Sequence, residues 1–268
     1  MTSTSASPTE YLDFAHRLAD AAGRAILPHF RQKLAVDNKD GTGGYDPVTE
    51  ADRTAERAVR ELVHASYPDH GFEGEEFGDD NLSARFRWVV DPIDGTRSFV
   101  LGMPVWGTLI GLTDAGHPLL GIMDQPYTRE RFWAADGASW FRGPGCGAVR
   151  LAARPCPAIA DAMMMTTDPG LFEQGAEQDG FLAVKQAVRT CRYGGDCYSY
   201  CLLAAGHVDV IVEAGLKPFD VTALVPIVEQ AGGIITTWRG EPASRGGRIV
   251  ASGDKRLHDQ VLRLLAGN

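Results

Sequence analysis

The sequence lacks any apolar run long enough to cross a membrane. Every hydrophobic stretch among its 268 residues is interrupted well short of the roughly 18–20 residues that a spanning helix needs. The opening stretch Met-Thr-Ser-Thr-Ser-Ala-Ser-Pro has neither the basic start nor the apolar core of a signal peptide. We therefore expect a cytoplasmic protein with no membrane partner. The length suffices for one large domain or for two packed halves.

Cysteine and positive charge are also scarce. The five cysteines are odd in number and include no Cys-x-x-Cys pair, and we interpret Cys197 and Cys201 as small buried residues rather than zinc or redox groups. The 35 acidic residues outnumber the 26 basic ones, which gives a formal net charge of −9. Nucleic acids and anionic membranes attract basic surfaces, so neither is expected as a partner. A small phosphorylated substrate stays compatible with this charge if cations screen the site.

The stretch around which we interpret the chain is residues 86–101, Phe-Arg-Trp-Val-Val-Asp-Pro-Ile-Asp-Gly-Thr-Arg-Ser-Phe-Val-Leu. Its apolar run at 88–90 predicts a short buried strand. Asp91 and Asp94 leave the end of that strand three residues apart. Gly95 then permits a tight turn, beyond which Thr96 or Ser98 is expected to cap a helix.

A strand that ends in two acids and runs into a helix N-terminus suits a particular ligand set. It places hard carboxylate oxygens beside free backbone N–H groups, an arrangement that fits Mg²⁺ together with a phosphate. Taken alone, Asp-Pro-Ile-Asp-Gly is also the pattern of an ordinary surface turn. The rest of the chain has to distinguish the two interpretations.

The first half of the chain predicts two helices followed by a mostly antiparallel sheet. Apolar spacing predicts a long amphipathic helix within residues 7–30 and a second helix that starts at Asp46. Between them, residues 33–46 are polar and Gly-rich and predict a mobile loop. Hairpin turns are expected at 114–117 and at 136–137.

The second half predicts alternating strands and helices, which indicates a layered α/β arrangement. We expect helices over 196–205 and 220–231 in this half. We place an internal boundary at 143–157. It divides the chain into an N-terminal α+β half, 1–152, which carries most of the metal ligands, and a C-terminal α/β half, 153–268, which carries Asp220 and the residues for substrate specificity.

Further acids stand near the ends of predicted elements. Those at the start of the second helix, including Asp52, either complement the helix dipole or act as ligands. Glu75 and Glu76 are either a solvated pair or face a cation that relieves their repulsion. Asp220 opens a helix after the predicted strand 208–213. One acid at each of several element starts is how a carboxylate cage for Mg²⁺ is assembled, because no single segment surrounds an ion.

The order Gly-Glu-Glu, then Asp-Pro-Ile-Asp-Gly-Thr, then a helix-opening Asp followed by Ala-Gly-Gly resembles the inositol monophosphatase-like superfamily of Mg²⁺-dependent, lithium-sensitive phosphatases, over residues 8–265. The stretches that narrow the resemblance to the histidinol-phosphate phosphatases of this superfamily are 40–42, 46–52, 96–99, 106–110, 193–198 and 215–220. The resemblance implies an α+β and α/β fold, an α-β-α-β-α layered sandwich, and a homodimer.

The resemblance also implies roles for individual residues. The ligands of two or three Mg²⁺ are Glu75, Asp91, the carbonyl of Ile93, Asp94 and Asp220, with Asp52 near the third ion. Glu75 and Thr96 position and activate the attacking water. These two residues and Asp94 are the implied catalytic residues. The backbone N–H groups of Gly95 and Thr96 bind the phosphate, and Lys39 approaches it.

The implied reaction is hydrolysis of L-histidinol phosphate to L-histidinol and phosphate in histidine biosynthesis. Asp196 and Glu213 are candidates for binding the substrate amine, and Tyr193 or Tyr198 for contacting the imidazole ring. For Asp196 an N-cap of helix 196–205 is an equal alternative. The alternative functions are an inositol-1-phosphate or other sugar-phosphate phosphatase of the same superfamily, and a non-catalytic sensor of a phosphometabolite or metal.

Overall fold

The computed structural model describes residues 8–33, 35–39 and 47–267. The helices in this part of the chain are α1 (Pro8–Ile26), α2 (Glu50–Ser66), α3 (Thr96–Val100), α4 (Ala176–Ala187), α5 (Asp196–Ala204), α6 (Pro218–Val221), α7 (Leu224–Glu229) and α8 (Lys255–Leu265). Short 3-10 turns lie at Ile159–Asp161, Pro169–Leu171 and Ala243–Arg245. Within the same residues, no helix combines the length and the apolar character needed to cross a bilayer.

The strands form a two-stranded pair and two larger sheets. The strands of the pair and of the first sheet are β1 (Val36–Asn38), β2 (Pro47–Thr49), β3 (Gly71–Gly74), β4 (Asp79–Asp80), β5 (Phe86–Asp94), β6 (Gly107–Asp114), β7 (His117–Gln125), β8 (Glu130–Ala135), β9 (Ala138–Arg142) and β10 (Val149–Arg150). Those of the second sheet are β11 (Met163–Thr166), β12 (Thr190–Tyr193), β13 (Val210–Leu216), β14 (Ile234–Thr237) and β15 (Gly247–Ser252).

The first sheet has eight strands in the order β10-β9-β8-β7-β6-β5-β3-β4. Only β3 and β5 run parallel, so the expectation of a mostly antiparallel sheet is confirmed. Both predicted hairpins, β6–β7 and β8–β9, are present. The second sheet has the order β12-β11-β13-β15-β14 and is mixed, since β11 is parallel to both neighbours while β15 is antiparallel to both of its own.

Three buried apolar clusters show how the layers stack. The first joins α1 and α2 to one face of the first sheet, where the ring of Phe14 meets Trp88 edge-on at 5.3 Å between centroids. The second joins α5 and α7 to the other face of that sheet and to the second sheet. The third joins α4 and α8 to the outer face of the second sheet. The resulting order of layers is α-β-α-β-α, as the resemblance implies.

The division at residue 152 stays a prediction. All strands of the first sheet precede it and all strands of the second follow it. However, the middle layer, α5 and α7, packs on both sheets, so the two halves share a core.

The second helix begins later than predicted. It starts at Glu50, with Thr49 as its N-cap in extended conformation, because the Thr49 side chain accepts a hydrogen bond from the N–H of Ala51. Pro47–Thr49 pairs instead with Val36–Asn38. The first strand of this pair, Val36–Asn38, lies within the segment 33–46 that was predicted as a loop, and the second follows that segment. The predicted helix start at Asp46 lies outside the described residues, as does most of the segment 33–46 that was predicted to be mobile.

The predicted helix 220–231 is two short helices, α6 and α7, which meet at Thr222 and Ala223. Pro226 explains the break, because it has no N–H to donate to the carbonyl one turn earlier. At the same junction, the hydroxyl of Thr222 donates a hydrogen bond to the carbonyl of Ser244 at 3.2 Å. The expectation that Asp220 lies at the start of a helix is confirmed, because α6 begins at Pro218 and has Asp220 in its first turn.

Candidate active site

Three carboxylates from two distant segments meet in the middle of the molecule. Asp91 and Asp94 lie at the end of β5, Asp220 lies in α6, and one oxygen of each is within 4.8 Å of the others. In a regular strand, residues three apart point to opposite faces. Here four residues of β5, from Asp91 to Asp94, lie opposite only three of β6, from Leu109 to Gly107. This irregularity, at a proline that cannot donate to the ladder, explains how both acids face one site.

Each of the three carboxylates is held by one backbone N–H. Ile93 donates to Asp91 Oδ1 at 2.9 Å, and Cys197 donates to Asp94 Oδ2 at 2.7 Å. The N–H of Lys217 donates to Asp220 Oδ2 at 2.6 Å. The bonds fix the orientation of the acids toward one another.

Burial makes this cluster electrostatically unfavourable without a cation. Burial first, and the neighbouring acids second, raise the pKa of Asp91 and of Asp94 well above their ordinary value. Burial also raises the pKa of Asp220, to about 7. Asp91 is buried, Asp94 and Asp220 are half-buried, and none of the three forms an ion pair with a basic side chain among the described residues. Such carboxylates are a hard-oxygen donor set, and a hard divalent cation removes their mutual repulsion. The donor chemistry therefore fits a metal of the Mg²⁺ type.

Glu75 lies beside this cluster but is occupied by Lys39. The Nζ atom of Lys39 donates to Glu75 Oε1 at 2.9 Å and to Glu76 Oε1 at 2.6 Å. Burial lowers the pKa of Lys39, but the two glutamates raise it by more, so the net pKa is raised and the ammonium keeps its proton. The question left open for the Glu75–Glu76 pair is answered, since a cation, the lysine, relieves the repulsion. The metal role of Glu75 and the phosphate role of Lys39 stay predictions.

Asp52 is part of the N-cap of α2. Its Oδ2 accepts from the Thr49 N–H at 2.8 Å and from the Thr49 hydroxyl at 2.6 Å, which forms a capping box. Its Oδ1 is buried and has no partner among the described residues. The capping bonds account for one oxygen, and the role implied for Asp52 near a third ion, through water, stays a prediction.

The helix after Gly95 is capped differently from the expectation. Gly95 itself is the N-cap, with φ of +83°, and makes no side-chain cap bond. The expectation that Thr96 or Ser98 caps α3 is wrong, because both hydroxyls have other partners. Thr96 Oγ1 donates to the carbonyl of Ile93 at 3.0 Å, and Ser98 Oγ donates to Asp196 Oδ2 at 2.7 Å.

Asp196 is brought against this turn from the other half of the chain. It is the first residue of α5, whose N-cap is Gly195, so the N-cap alternative for Asp196 is not what the structure has. A Cβ added at Gly95 would lie 2.8 Å from Asp196 Cγ, and therefore the turn and the acid are in close contact. Burial raises the pKa of Asp196.

These residues line one cleft of about 350 Å³ between the two sheets. The lining residues are Pro47, Glu75, Asp91, Ile93, Asp94, Gly95, Thr96, Arg97, Thr167, Leu171, Asp196, Ala214, Gly215, Leu216, Lys217, Phe219 and Asp220. The cleft thus combines the three acids, the turn at Gly95 and the wall formed by Asp196.

Three of the predicted substrate contacts do not line this cleft. Tyr193 is 44% exposed, and Lys185 lies over its ring. The hydroxyl of Tyr198 donates to Glu130 Oε2 at 2.8 Å, on the side of the first sheet. Glu213 is 1% exposed, and its Oε1 accepts from the N–H of Thr167 at 2.7 Å. The contacts proposed for these three side chains stay predictions and require a different arrangement from the one seen.

Glu213 allows a test of its protonation. Burial raises its pKa from 4.5 to about 8, so the folded protein holds a proton that the unfolded chain releases above pH 4.5. Stability therefore falls as the pH rises from about 4.5 to 8. We expect Glu213→Gln to remove this loss, because glutamine stays neutral and still accepts from Thr167.

Thermal unfolding of the wild type and of Glu213→Gln, measured from pH 5 to pH 8, checks this expectation. The melting temperature of the variant should gain on the wild type as the pH rises. Glu241→Gln, at an exposed position, is the control and should follow the wild type. A difference that is constant with pH would contradict the assignment.

Two residues that support the site were not predicted from the sequence. Glu56 is fully buried on α2 and accepts from the N–H of Glu76 at 2.7 Å and of Phe77 at 3.2 Å, which anchors the segment that carries Glu75. An acid within the apolar spacing of α2 is a signal that could have identified it. Thr108 Oγ1 donates to the carbonyl of Pro92 at 2.8 Å and holds the irregular strand end, and nothing in the sequence marks it.

The fold and the site together define a class, that of layered α/β proteins with a carboxylate cluster suited to divalent cations between two sheets. The chain belongs to the inositol monophosphatase family, whose model matches residues 7–267. It is therefore a phosphatase of this family, and the family is generally metal-dependent. The resemblance stated from the sequence is confirmed.

Individual relatives span nearly the whole chain. The protein is 37% identical to the histidinol-phosphatase of Streptomyces coelicolor, over 96% of this chain and 98% of the relative. It is 41% identical to the chloroplastic bifunctional phosphatase IMPL2 of Arabidopsis thaliana, over 97% of this chain and 77% of the relative. A solved inositol monophosphatase from Zymomonas mobilis is 40% identical and superposes with a TM-score of 0.87, over 98% of this chain and 100% of that one.

Proposed function

We propose that this protein is a Mg²⁺-dependent phosphomonoesterase that hydrolyses L-histidinol phosphate to L-histidinol and phosphate. The observation that carries the proposal is an acid, Asp196, in the wall of the cleft beside the carboxylate cluster. Relatives named histidinol-phosphatase at 37% identity, which this chain matches almost end to end, support the same substrate. We also propose a cytoplasmic homodimer, as the resemblance implies.

The protein's own residues have distinct parts in this reaction. Asp91, Asp94, Asp220 and Glu75 would hold the ions. When bound, such ions neutralise the phosphate dianion and lower the pKa of a water molecule. The backbone N–H groups of Gly95 and Thr96, at the turn that opens α3, would bind the phosphate oxygens.

Glu75 is the proposed acceptor of the proton of the attacking water, with Thr96 as the relay. For this role Glu75 has to lose Lys39, whose Nζ lies 2.9 Å from its carboxylate. The ammonium would then be available for the phosphate, which agrees with the role that the resemblance gives it. Asp196 lines the same cleft, and we propose that the leaving alkoxide of the substrate would face it.

The substrate assignment depends on charge. Histidinol carries a cationic amine, and an amine pairs with a buried carboxylate more strongly than a neutral hydroxyl does. Asp196 is held by Ser98 at 2.7 Å, so its second oxygen is oriented by the fold. An inositol or sugar phosphate offers only hydroxyls to the same wall.

An inositol-1-phosphate or other sugar-phosphate phosphatase is the second candidate. The inositol monophosphatase from Zymomonas mobilis, 40% identical to this chain, supports it. The Arabidopsis relative, named as bifunctional, leaves room for two activities in one site. A non-catalytic sensor has less support, because all of the acids that the resemblance requires are present.

Asp196→Asn tests the substrate assignment. We expect kcat/KM for L-histidinol phosphate to fall about 10-fold to 100-fold, the size of one lost charge-assisted hydrogen bond, while kcat/KM for inositol 1-phosphate changes less than about 3-fold. Phosphate release from both substrates in the same preparations measures this ratio. Equal losses for both would assign Asp196 to the turn at Gly95 rather than to the amine.

A further inference from the structure

A second cleft, of about 410 Å³, lies on the first sheet away from the carboxylate cluster. It is bounded by the C-terminal half of α1 and by the turn between β7 and β8. Four arginines line it, Arg24, Arg129, Arg131 and Arg142, in a protein whose net charge is −9. None of its lining residues belongs to the first cleft.

Arg131 forms the floor of this cleft. Its side chain is 9% exposed and donates to Asp124 Oδ1 at 2.7 Å and to Asp20 Oδ1 at 2.8 Å. A third bond, at 3.3 Å, reaches the carbonyl of His16. The two acids of the cleft are thus bound to this one arginine.

The other three arginines are exposed and form no ion pair or hydrogen bond with the described residues. With Arg131 they give the cleft four positive charges against the two negative charges of Asp20 and Asp124. An excess of two positive charges therefore remains for a ligand.

The sheet register adds a reason to expect a bound anion. Arg131 and Arg142 are directly opposite each other on β8 and β9, and therefore on one face. Like charges at directly opposite positions destabilise a sheet. The effect of this positive field is visible at His16, where burial and then Arg131 and Arg142 lower the pKa to about 4. Asp20 and Asp124 offset the charge of Arg131, so a bound oxyanion would compensate Arg24, Arg129 and Arg142.

We propose that this cleft binds a multiply charged phosphate compound, separately from the reaction at the carboxylate cluster. Guanidinium groups match phosphate oxygens in a two-point geometry. The cleft is also lined by three apolar residues, Ala19, Leu27 and Pro126, against which an organic group attached to the phosphates can pack.

The proposal is tested by calorimetry on the full-length protein freed of metal, because the bare carboxylate cluster then repels anions. Inorganic pyrophosphate is one probe and ADP is the other. Both should bind the wild type, and the affinity should fall as the ionic strength rises. Tighter binding of ADP would indicate an ester whose organic part covers Leu27 and Pro126, and tighter binding of pyrophosphate an inorganic ligand.

The variant Arg129→Gln/Arg142→Gln should lose at least about 10-fold in affinity for both probes. The matched control is Arg150→Gln/Arg263→Gln, which removes the same charge at exposed positions outside the cleft and should bind as the wild type does. Unchanged binding in the first variant, an equal loss in both variants, or no binding by the wild type would overturn the proposal. Arg129→Gln alone, which should lose part of the affinity, replaces the double variant if that one does not fold.

Discussion

Asp94→Asn is expected to lower kcat/KM for phosphate release by about 1,000-fold or more. The substitution removes one negative charge from the three-acid cluster without changing the volume, and several kcal/mol of transition-state stabilisation by bound ions depends on that charge. The asparagine oxygen still accepts the hydrogen bond that Cys197 donates at 2.7 Å. The fold should therefore persist while Mg²⁺ affinity, measured by calorimetry, falls.

The stability of the metal-free variant has a definite sign. Burial raises the pKa of Asp94, so above its ordinary range the charged carboxylate is less favourable in the folded protein than in the unfolded chain. A neutral residue removes this penalty, and the metal-free variant should melt at or above the temperature of the metal-free wild type at neutral pH. Asp13→Asn, at an exposed position of α1, is the control for the charge change. Activity that is unchanged in Asp94→Asn would refute the metal assignment.

Gly121→Ala is expected to destabilise the protein by about 3 kcal/mol or more. Gly121 on β7 is paired with Gly111 on β6, and the main chain at Ala223 passes directly over both glycines. A Cβ at Gly121 would lie 1.9 Å from the Ala223 carbonyl oxygen, which is backbone and has no rotamer to change. Relief requires the main chain at Ala223 to move away from the sheet, and α6, which ends two residues earlier, carries Asp220.

The variant should therefore lose activity as well as stability. Denaturant unfolding measures the free energy of unfolding. Mg²⁺-dependent phosphate release, corrected for the fraction of protein that remains folded, measures the loss of activity that a displaced Asp220 would cause. Gly147→Ala is the matched control, since a Cβ there meets nothing within 4 Å and should change the free energy of unfolding by less than about 0.5 kcal/mol. A stable, active Gly121→Ala variant would show that the close approach of the Ala223 main chain to β7 does not require glycine at position 121.

Local patterns predicted the elements that carry the cluster. The run from Trp88 to Gly95 encodes a strand, two acids and a turn within one short stretch, and the structure has all three. The helix opening at Pro218 likewise follows from local chemistry, and it presents Asp220. Order along the chain was enough here, because the end of each element fixes where its acid lies.

Contacts across the chain were not predictable in the same way. The bond from Cys197 to Asp94 joins residues 103 positions apart, and the bond from Ser98 to Asp196 joins residues 98 apart. Tyr198 carries no local sign that its hydroxyl meets Glu130 on the first sheet. The cleft wall at Asp196 depends on such pairings between the two halves, and this explains why the position of the three-acid cluster was predictable while the surroundings of Tyr198 were not.

The most direct test of the proposed function is phosphate release from L-histidinol phosphate beside inositol 1-phosphate, each with Mg²⁺ and with EDTA, compared as kcat/KM. The proposal predicts a large preference for L-histidinol phosphate and no release from either substrate in EDTA. Comparable rates for the two substrates would contradict the substrate assignment. Release that persists in EDTA would contradict the role of the carboxylate cluster, and no release under any condition would favour the sensor.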